Sequence, residues 1–189
     1  MKTSATVPTL ASRLGQTCHL SPLLRRIRGM LEGQDLSSCL MEAAVRRGAS
    51  HYQHTYPAPA QYPTELDRLS NEELGVALCL GELPYNPLHI RIASELLSAP
   101  ENDCGRIIHL SRQERCELAV RHIARCGRRI EPNIPVWERI LAELEVREER
   151  PTDFLPGWTR FVSMTGVTRS GEKHIEWLRI HGVCDRKVT

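Results

Sequence analysis

The chain has 189 residues, 41% of them hydrophobic, and a formal net charge of +2. That length builds one domain, with or without appendages, and buries about 70% of the unfolded surface, so no disulfide or metal staple is required. No stretch approaches the ~18 consecutive apolar residues of a membrane-spanning helix, and so small a net charge selects no class of partner.

Residues 1–20 carry two charges, Lys2 and Arg13, and their apolar residues are interrupted by Ser, Thr, Pro and Gln. That pattern lacks the apolar core of a signal peptide and reads as a loose cytoplasmic tail; its lack of acidic residues is the one trait shared with transit peptides. Seven cysteines, at 18, 39, 79, 104, 116, 126 and 184, are scattered and include no C-x-x-C. An odd, dispersed set in a chain of this length implies free thiols in a reducing compartment, here the cytoplasm.

The first helix signal is Ser21-Pro22, an N-cap followed by proline at the first helical position. Leu23, Leu24, Ile27 and Met30 or Leu31 then form the apolar stripe, with Arg25, Arg26 and Arg28 on the other face. Asp35 caps a second helix running to about Arg47, with Gly48 as its C-terminal glycine and Arg46 and Arg47 at its negative end. Residues 21–48 thus read as a helical hairpin. The segment 49–69 is a linker. Its part 50–63 holds three prolines, no charge and three of the four tyrosines. Prolines at 57, 59 and 63 favour extended chain. Tyr52, Tyr56 and Tyr62 either drape over the domain or form a docking arm.

Residues 70–150 read as the core, built of two helical hairpins. Ser70-x-x-Glu73 is a capping box, and the helix behind it is apolar nearly all round, as expected of a central helix. Asn86-Pro87 starts its partner, with Leu88, Ile92, Ala93 and Leu96 inward. Residues 99–106 read as a polar loop. Ser111-x-x-Glu114 looks like a second capping box, opening a helix over 112–126. Asn133 and Pro135 open the next, with Ile134, Trp137, Ile140, Leu141 and Leu144 as its stripe. The second hairpin echoes the first: Glu73-Leu74-Gly75-Val76 returns as Glu117-Leu118-Ala119-Val120, and Arg91-Ile92 as Arg139-Ile140. The fold class is therefore all-α or mostly so, with antiparallel helical hairpins in a small bundle or short solenoid.

Residues 151–189 form a C-terminal appendage containing Trp158, Phe161 and Trp177. Its last part reads as helix, with a small β-hairpin about Arg169-Ser170-Gly171 as the alternative. The stretch Thr165-Gly166-Val167-Thr168-Arg169-Ser170 resembles the turn of bacterial helix-turn-helix DNA binders, and Trp177-Leu178-Arg179 resembles the end of their recognition helix. Gly171 and Glu172 depart from that pattern, which wants helix formers and a buried aliphatic there. The resemblance implies a DNA-binding segment at 160–181. The arginine-bearing pair at 21–48 is the other nucleic-acid candidate.

Charge alternates in blocks: +4 over residues 1–60, −6 over 61–105, +5 over 106–129, −4 over 130–153 and +3 beyond. In the predicted helix 112–126 and just past it, Arg121, Arg125, Arg128 and Arg129 recur at i, i+4, i+7 and i+8, opposite Cys116, Val120 and Ile123. With Arg112 and Arg115 they form the candidate partner- or phosphate-binding set. Either the neighbouring acidic residues, Glu143 and Glu145 among them, neutralise this stripe, or it docks an acidic surface. Arginine outnumbers lysine 22 to 3, from genomic base composition or from selection for planar, bidentate anion recognition. No G-x-S-x-G, P-loop or H-E-x-x-H occurs, and the Cys and His pairs lack the spacing of a metal site. The expected function is a non-enzymatic adaptor that binds an acidic protein partner through helical surfaces, without cofactor or metal and away from membranes; the alternative is a nucleic-acid binder using arginine-lined helices.

Overall fold

The computed structural model describes residues 7–17, 21–31, 33–50, 65–145, 152–167 and 173–180. The protein is mostly helical, with a two-stranded antiparallel sheet near the C-terminus. Its α-helices are α1 (Leu10–Arg13), α2 (Pro22–Met30), α3 (Leu36–Arg46), α4 (Asn71–Ala77), α5 (Pro87–Leu97), α6 (Cys104–Gln113), α7 (Glu117–Ile130) and α8 (Pro135–Glu143). The strands are β1 (Val162–Val167) and β2 (Lys173–Trp177). No helix among the described residues is long and apolar enough to cross a membrane.

Local chemistry sets most helix starts. Ser21, Asp35 and Asn86 each accept from an amide in the first turn, and Ser70 with Glu73 makes the full reciprocal capping box. Every residue from Glu72 to Leu80 is buried, so α4 is the central helix its composition demands. A β-carbon on Gly75 would lie 2.7 Å from Leu97 Cδ2, and Asn71 at the start of α4 donates to Glu101 at 3.0 Å, so α4 runs beside the end of α5. These two form one antiparallel hairpin. The second is α7 with α8, where Arg121 near the start of α7 reaches the carbonyls that end α8. Leu74, Leu78, Ile92, Ile123, Trp137 and Ile140 share one buried cluster, as the stripes require.

Four expectations need correction. Residues 7–17 are not loose: Leu10, Ala11 and Leu14 are buried, and the Leu10 and Ala11 amides donate to Leu83 and Gly81 oxygens at 3.0 and 2.9 Å. The partner of this strap is some 70 residues away, so local pattern does not disclose it. Residues 104–106 open a helix, α6, started by Asp103, whose carboxylate accepts from the Gly105 amide at 2.8 Å. The supposed capping box at 111–114 does not exist. Ser111 lies inside α6 and donates to Ile107 O at 2.7 Å, and Glu114 reaches instead to α2. Finally, α8 is capped at Ile134 with no side-chain bond, so Asn133 is not its cap.

The C-terminal aromatic residues join the same core. Phe161 and Trp177 are buried, with ring centroids 5.3 Å apart, and Trp177 lies 5.2 Å from Trp137 of α8. The chain there runs as β1 and β2, paired Val162 to Trp177 and Ser163 to Glu176, with a bulge between Met164 and Gly166. Helix is the wrong expectation for residues 173–177, which form one strand of an antiparallel pair; the turn expected about residues 169–171 lies outside the described residues.

Candidate anion-binding surfaces

The arginine stripe of α7 is divided by its surroundings. Arg121 donates through Nη1 to the carbonyls of Leu141 and of Leu144, the latter at 3.1 Å. Arg112 does the same for Glu143 O. A helix C-terminus carries unpaired carbonyls and a partial negative charge, so two guanidinium groups satisfy it directly. For Arg112 and Arg121, then, the partners are backbone oxygens of α8 where acidic side chains were expected; residues 148 and 149 of the acidic run lie outside the described residues. Arg129 sits over the Trp158 ring, 5.0 Å from its centroid, a cation–π pair at the surface. Arg125 and Arg128 are exposed on the same half of α7, and Arg115 is exposed just before that helix.

Helix α7 does not end at Gly127. It continues three residues further, because Trp137 packs on the bare α-carbon of Gly127. Beside it, burial pushes His122 below its ordinary pKa, the bond to the Pro156 carbonyl opposes this, and Arg125 adds to it. That bond, 2.9 Å from Nε2, fixes the ring against the residue 156 carbonyl.

A second basic surface is assembled from two segments far apart in sequence. The Glu114 carboxylate accepts from the Ser21 hydroxyl and from the Leu23 amide at 3.2 Å, so the end of α6 caps the start of α2. Further along, Glu73 accepts from Arg26 of α2 at 2.9 Å and from Arg106 of α6 at 3.0 Å. These two bridges fix α2 and α6 antiparallel across the N-terminus of α4. Burial acts to raise the Glu73 carboxyl, but hydrogen bonds from Arg26 and the Ser70 amide, with the charges of Arg26 and Arg106, carry it below the usual value.

Every exposed charged side chain on these two helices is an arginine: Arg25, Arg26, Arg28, Arg106 and Arg112. The acids that accompany them, Glu73 and Glu114, are buried at 8% and 1% exposure beneath the face. Arg26 and Arg106 share a single carboxylate and still expose 48% of each side chain. Arg25 and Arg28 make no ion pair among the described residues.

No known protein family, curated protein or solved structure matches the chain.

The other sequence candidates fall differently. Tyr52, Tyr56 and Tyr62 lie outside the described residues. In the segment 160–181 the resemblance to a helix-turn-helix fails, since its described core is an antiparallel strand pair with Trp177 buried against α5 and α8. The pair at 21–48 is half retained. The arginines of α2 face outward, but Arg46 pairs with Asp67 at 3.0 Å and Arg47 donates to Asn71 at 2.9 Å, so α3 spends its arginines on the fold. Among the described residues Cys39, Cys79, Cys104, Cys116 and Cys126 are free thiols, and no three His, Cys, Asp or Glu side chains converge as a metal site. Burial pushes the Cys79 thiol up to about 12 and that of Cys126 to about 11. The sequence reading missed Arg106, because it placed residue 106 in a loop. The signal was present as Asp103 three residues ahead of it.

Proposed function

We propose that this protein binds nucleic acid through the phosphate backbone, using the arginine face of α2 and α6. The observation that supports this reading is the composition of that face: its exposed charges are all guanidinium, and its carboxylates are buried and shared. Planar guanidinium groups suit phosphate oxygens, and a face that neutralises several phosphates gains affinity from counterion release. With Arg25, Arg26, Arg28 and Arg106 engaged, log affinity should fall against log salt with a slope of about −3 to −4. The test is fluorescence anisotropy with labelled single-stranded RNA and duplex DNA over a salt series. Arg25→Glu with Arg28→Glu should weaken binding and flatten the slope by about two while leaving thermal stability unchanged, because neither residue makes an ion pair among the described residues. Absence of binding at low salt, or an unaltered slope in the double variant, overturns the reading.

A second reading is favoured by the Arg129–Trp158 pair. An exposed arginine stacked on an aromatic ring, flanked by Arg125 and Arg128, has the residue types that dominate protein interfaces. It supports an adaptor that docks an acidic protein partner at the end of α7. Arg128→Glu with Arg129→Glu should abolish partners cross-linked in cells and leave nucleic-acid binding intact. If the α7 variant loses nucleic-acid binding and the α2 variant does not, the two surfaces have been assigned the wrong way round.

A further inference from the structure

The carboxylate of Glu73 is held through both oxygens. Oε2 accepts from the Ser70 amide at 2.9 Å, which closes the capping box of α4. Oε1 accepts from Arg26 Nη2 at 2.9 Å and from Arg106 Nη2 at 3.0 Å. Two nitrogens bonded to one oxygen at those lengths are at most 5.9 Å apart, the two lengths laid end to end. A guanidinium carries several N–H donors in a rigid fork, and Glu73 engages one nitrogen of each arginine. The remaining donors stand on side chains that are 48% exposed.

The arginine pair is therefore set in place by the fold, with no ligand needed to gather it. Beside it, Glu72 is 8% exposed and accepts from the Asp103 amide at 2.9 Å, so the acids lie beneath and the cations above. Arg25 and Arg28 flank Arg26 on α2 and make no ion pair among the described residues. Gly29, one turn on, is exposed and has open space where a β-carbon would stand. A side chain there would lie over the turn that carries Arg25 and Arg26, and the glycine leaves that turn uncovered.

We propose that Arg26 and Arg106 clamp a single phosphate group, the monoester at the end of a nucleic-acid strand, with Glu73 as the positioning residue. This rests on the nucleic-acid reading of the α2–α6 face and narrows it. An internal phosphodiester carries one negative charge, whereas a phosphate monoester carries about −1.5 to −2 at neutral pH. Two converging guanidinium groups match the phosphate whose charge is the more concentrated, and their forked donors suit its oxygens. Arg25 and Arg28 then meet the phosphates that follow, which a phosphorylated peptide does not have. Holding the pair at one spacing before binding removes an ordering cost that free side chains would add.

The probe is one short oligonucleotide with an internal fluorophore, made with a 5′-phosphate, with a 3′-phosphate and with hydroxyls at both ends, and titrated into the full chain by anisotropy. One phosphorylated form should bind roughly tenfold tighter than the hydroxyl form. Arg26→Lys with Arg106→Lys keeps both charges and loses the planar forks, and should abolish that preference while the hydroxyl form binds as before. Arg26→Lys alone should reduce the preference and serves if the double variant misfolds. Glu73→Gln should leave the hydroxyl form bound at least as tightly, since an acid is removed, and yet reduce the preference. Equal binding of the three forms with a steep salt slope overturns the clamp and leaves the backbone reading standing; no binding by any form at low salt overturns both. A preference that survives in these variants places the reading of strand ends elsewhere and overturns the proposal. A phosphoserine peptide that binds as tightly as the phosphorylated strand overturns the assignment of the ligand to nucleic acid.

Discussion

Trp137 lies flat against the backbone of Gly127: a β-carbon built on that glycine would sit 2.4 Å from Cε2 of the indole. The ring cannot retreat, because it is 1% exposed and its other neighbour, Trp177, is 5.2 Å away. Glycine within a helix ordinarily costs about 1 kcal/mol relative to alanine. Here close helix packing outweighs that, and Gly127→Ala should lower stability by about 1–3 kcal/mol, read from the midpoint of a urea titration. A stability at or above that of the natural chain would mean that the α7–α8 contact is looser than the geometry shows.

Arg115 should yield the opposite sign. It is the one non-glycine residue with positive φ among those described, at 52°. Its amide bonds to Arg112 O, and that of Cys116 to Ser111 O at 3.0 Å, which is the Schellman closure of a helix end. Gly15 and Gly48 fill the same place after α1 and α3, with φ of 62° and 95°. A left-handed conformation costs a residue with a β-carbon about 1 kcal/mol, so Arg115→Gly should raise stability by about 0.5–1 kcal/mol. Denaturation of the two chains side by side decides it; a loss would show that the arginine side chain contributes more than its backbone costs.

Glu114 is a long-range cap. Ser21 is fully buried, its hydroxyl donates to the Glu114 carboxylate, and the Leu23 amide depends on the same group. Removing the acceptor leaves buried donors without partners, at about 1–3 kcal/mol each. Glu114→Ala should therefore cost about 2–4 kcal/mol, and Ser21→Ala should cost less in that background than alone. Independent, additive effects in the double-mutant cycle would show that α2 is capped by something else.

These relationships separate what was legible in the sequence from what was not. Ser21, Asp35, Ser70 and Asn86 cap helices through atoms two or three residues away, so a reader of local pattern finds them. The antiparallel strand pair was legible as an alternative, because Gly166 and Gly171 argue against helix. Helix α6 was not, because its start carries Gly105 and its end carries a serine and a glutamate spaced like a cap. Ser111 in fact bonds four residues back, and Glu114 serves a helix some 90 residues away in the chain. The candidate site suffered likewise. The α7 stripe was plain from spacing, but its fate depended on where the carbonyls of α8 lie. The α2–α6 face required two segments that only tertiary structure brings together, and so Arg106 could not be matched with Arg26.

His89 carries the last prediction. It is 2% exposed, and its Nε2 lies 2.7 Å from the Ser37 hydroxyl. Burial pushes its pKa down to about 4, with the Asp35 carboxylate opposing only in part. An unfolded histidine titrates near 6.5. Between those values the unfolded chain holds a proton that the folded chain does not, so stability must fall as pH falls through that window. The contribution is full above pH 6.5, is lost progressively toward pH 4, and changes no further below it. The total is about 3 kcal/mol, since each pH unit of the window corresponds to 1.4 kcal/mol. Carboxylates such as Glu73 also lose stabilising charge on acidification, but they do so in any variant that keeps them. The discriminating measurement is thus the difference between the natural chain and His89→Gln, by urea titration at pH 7 and at pH 4.5. The natural chain should lose about 2–3 kcal/mol more than the variant over that interval. Parallel losses would mean that His89 takes up its proton while folded, and that the Ser37–His89 contact is open to water.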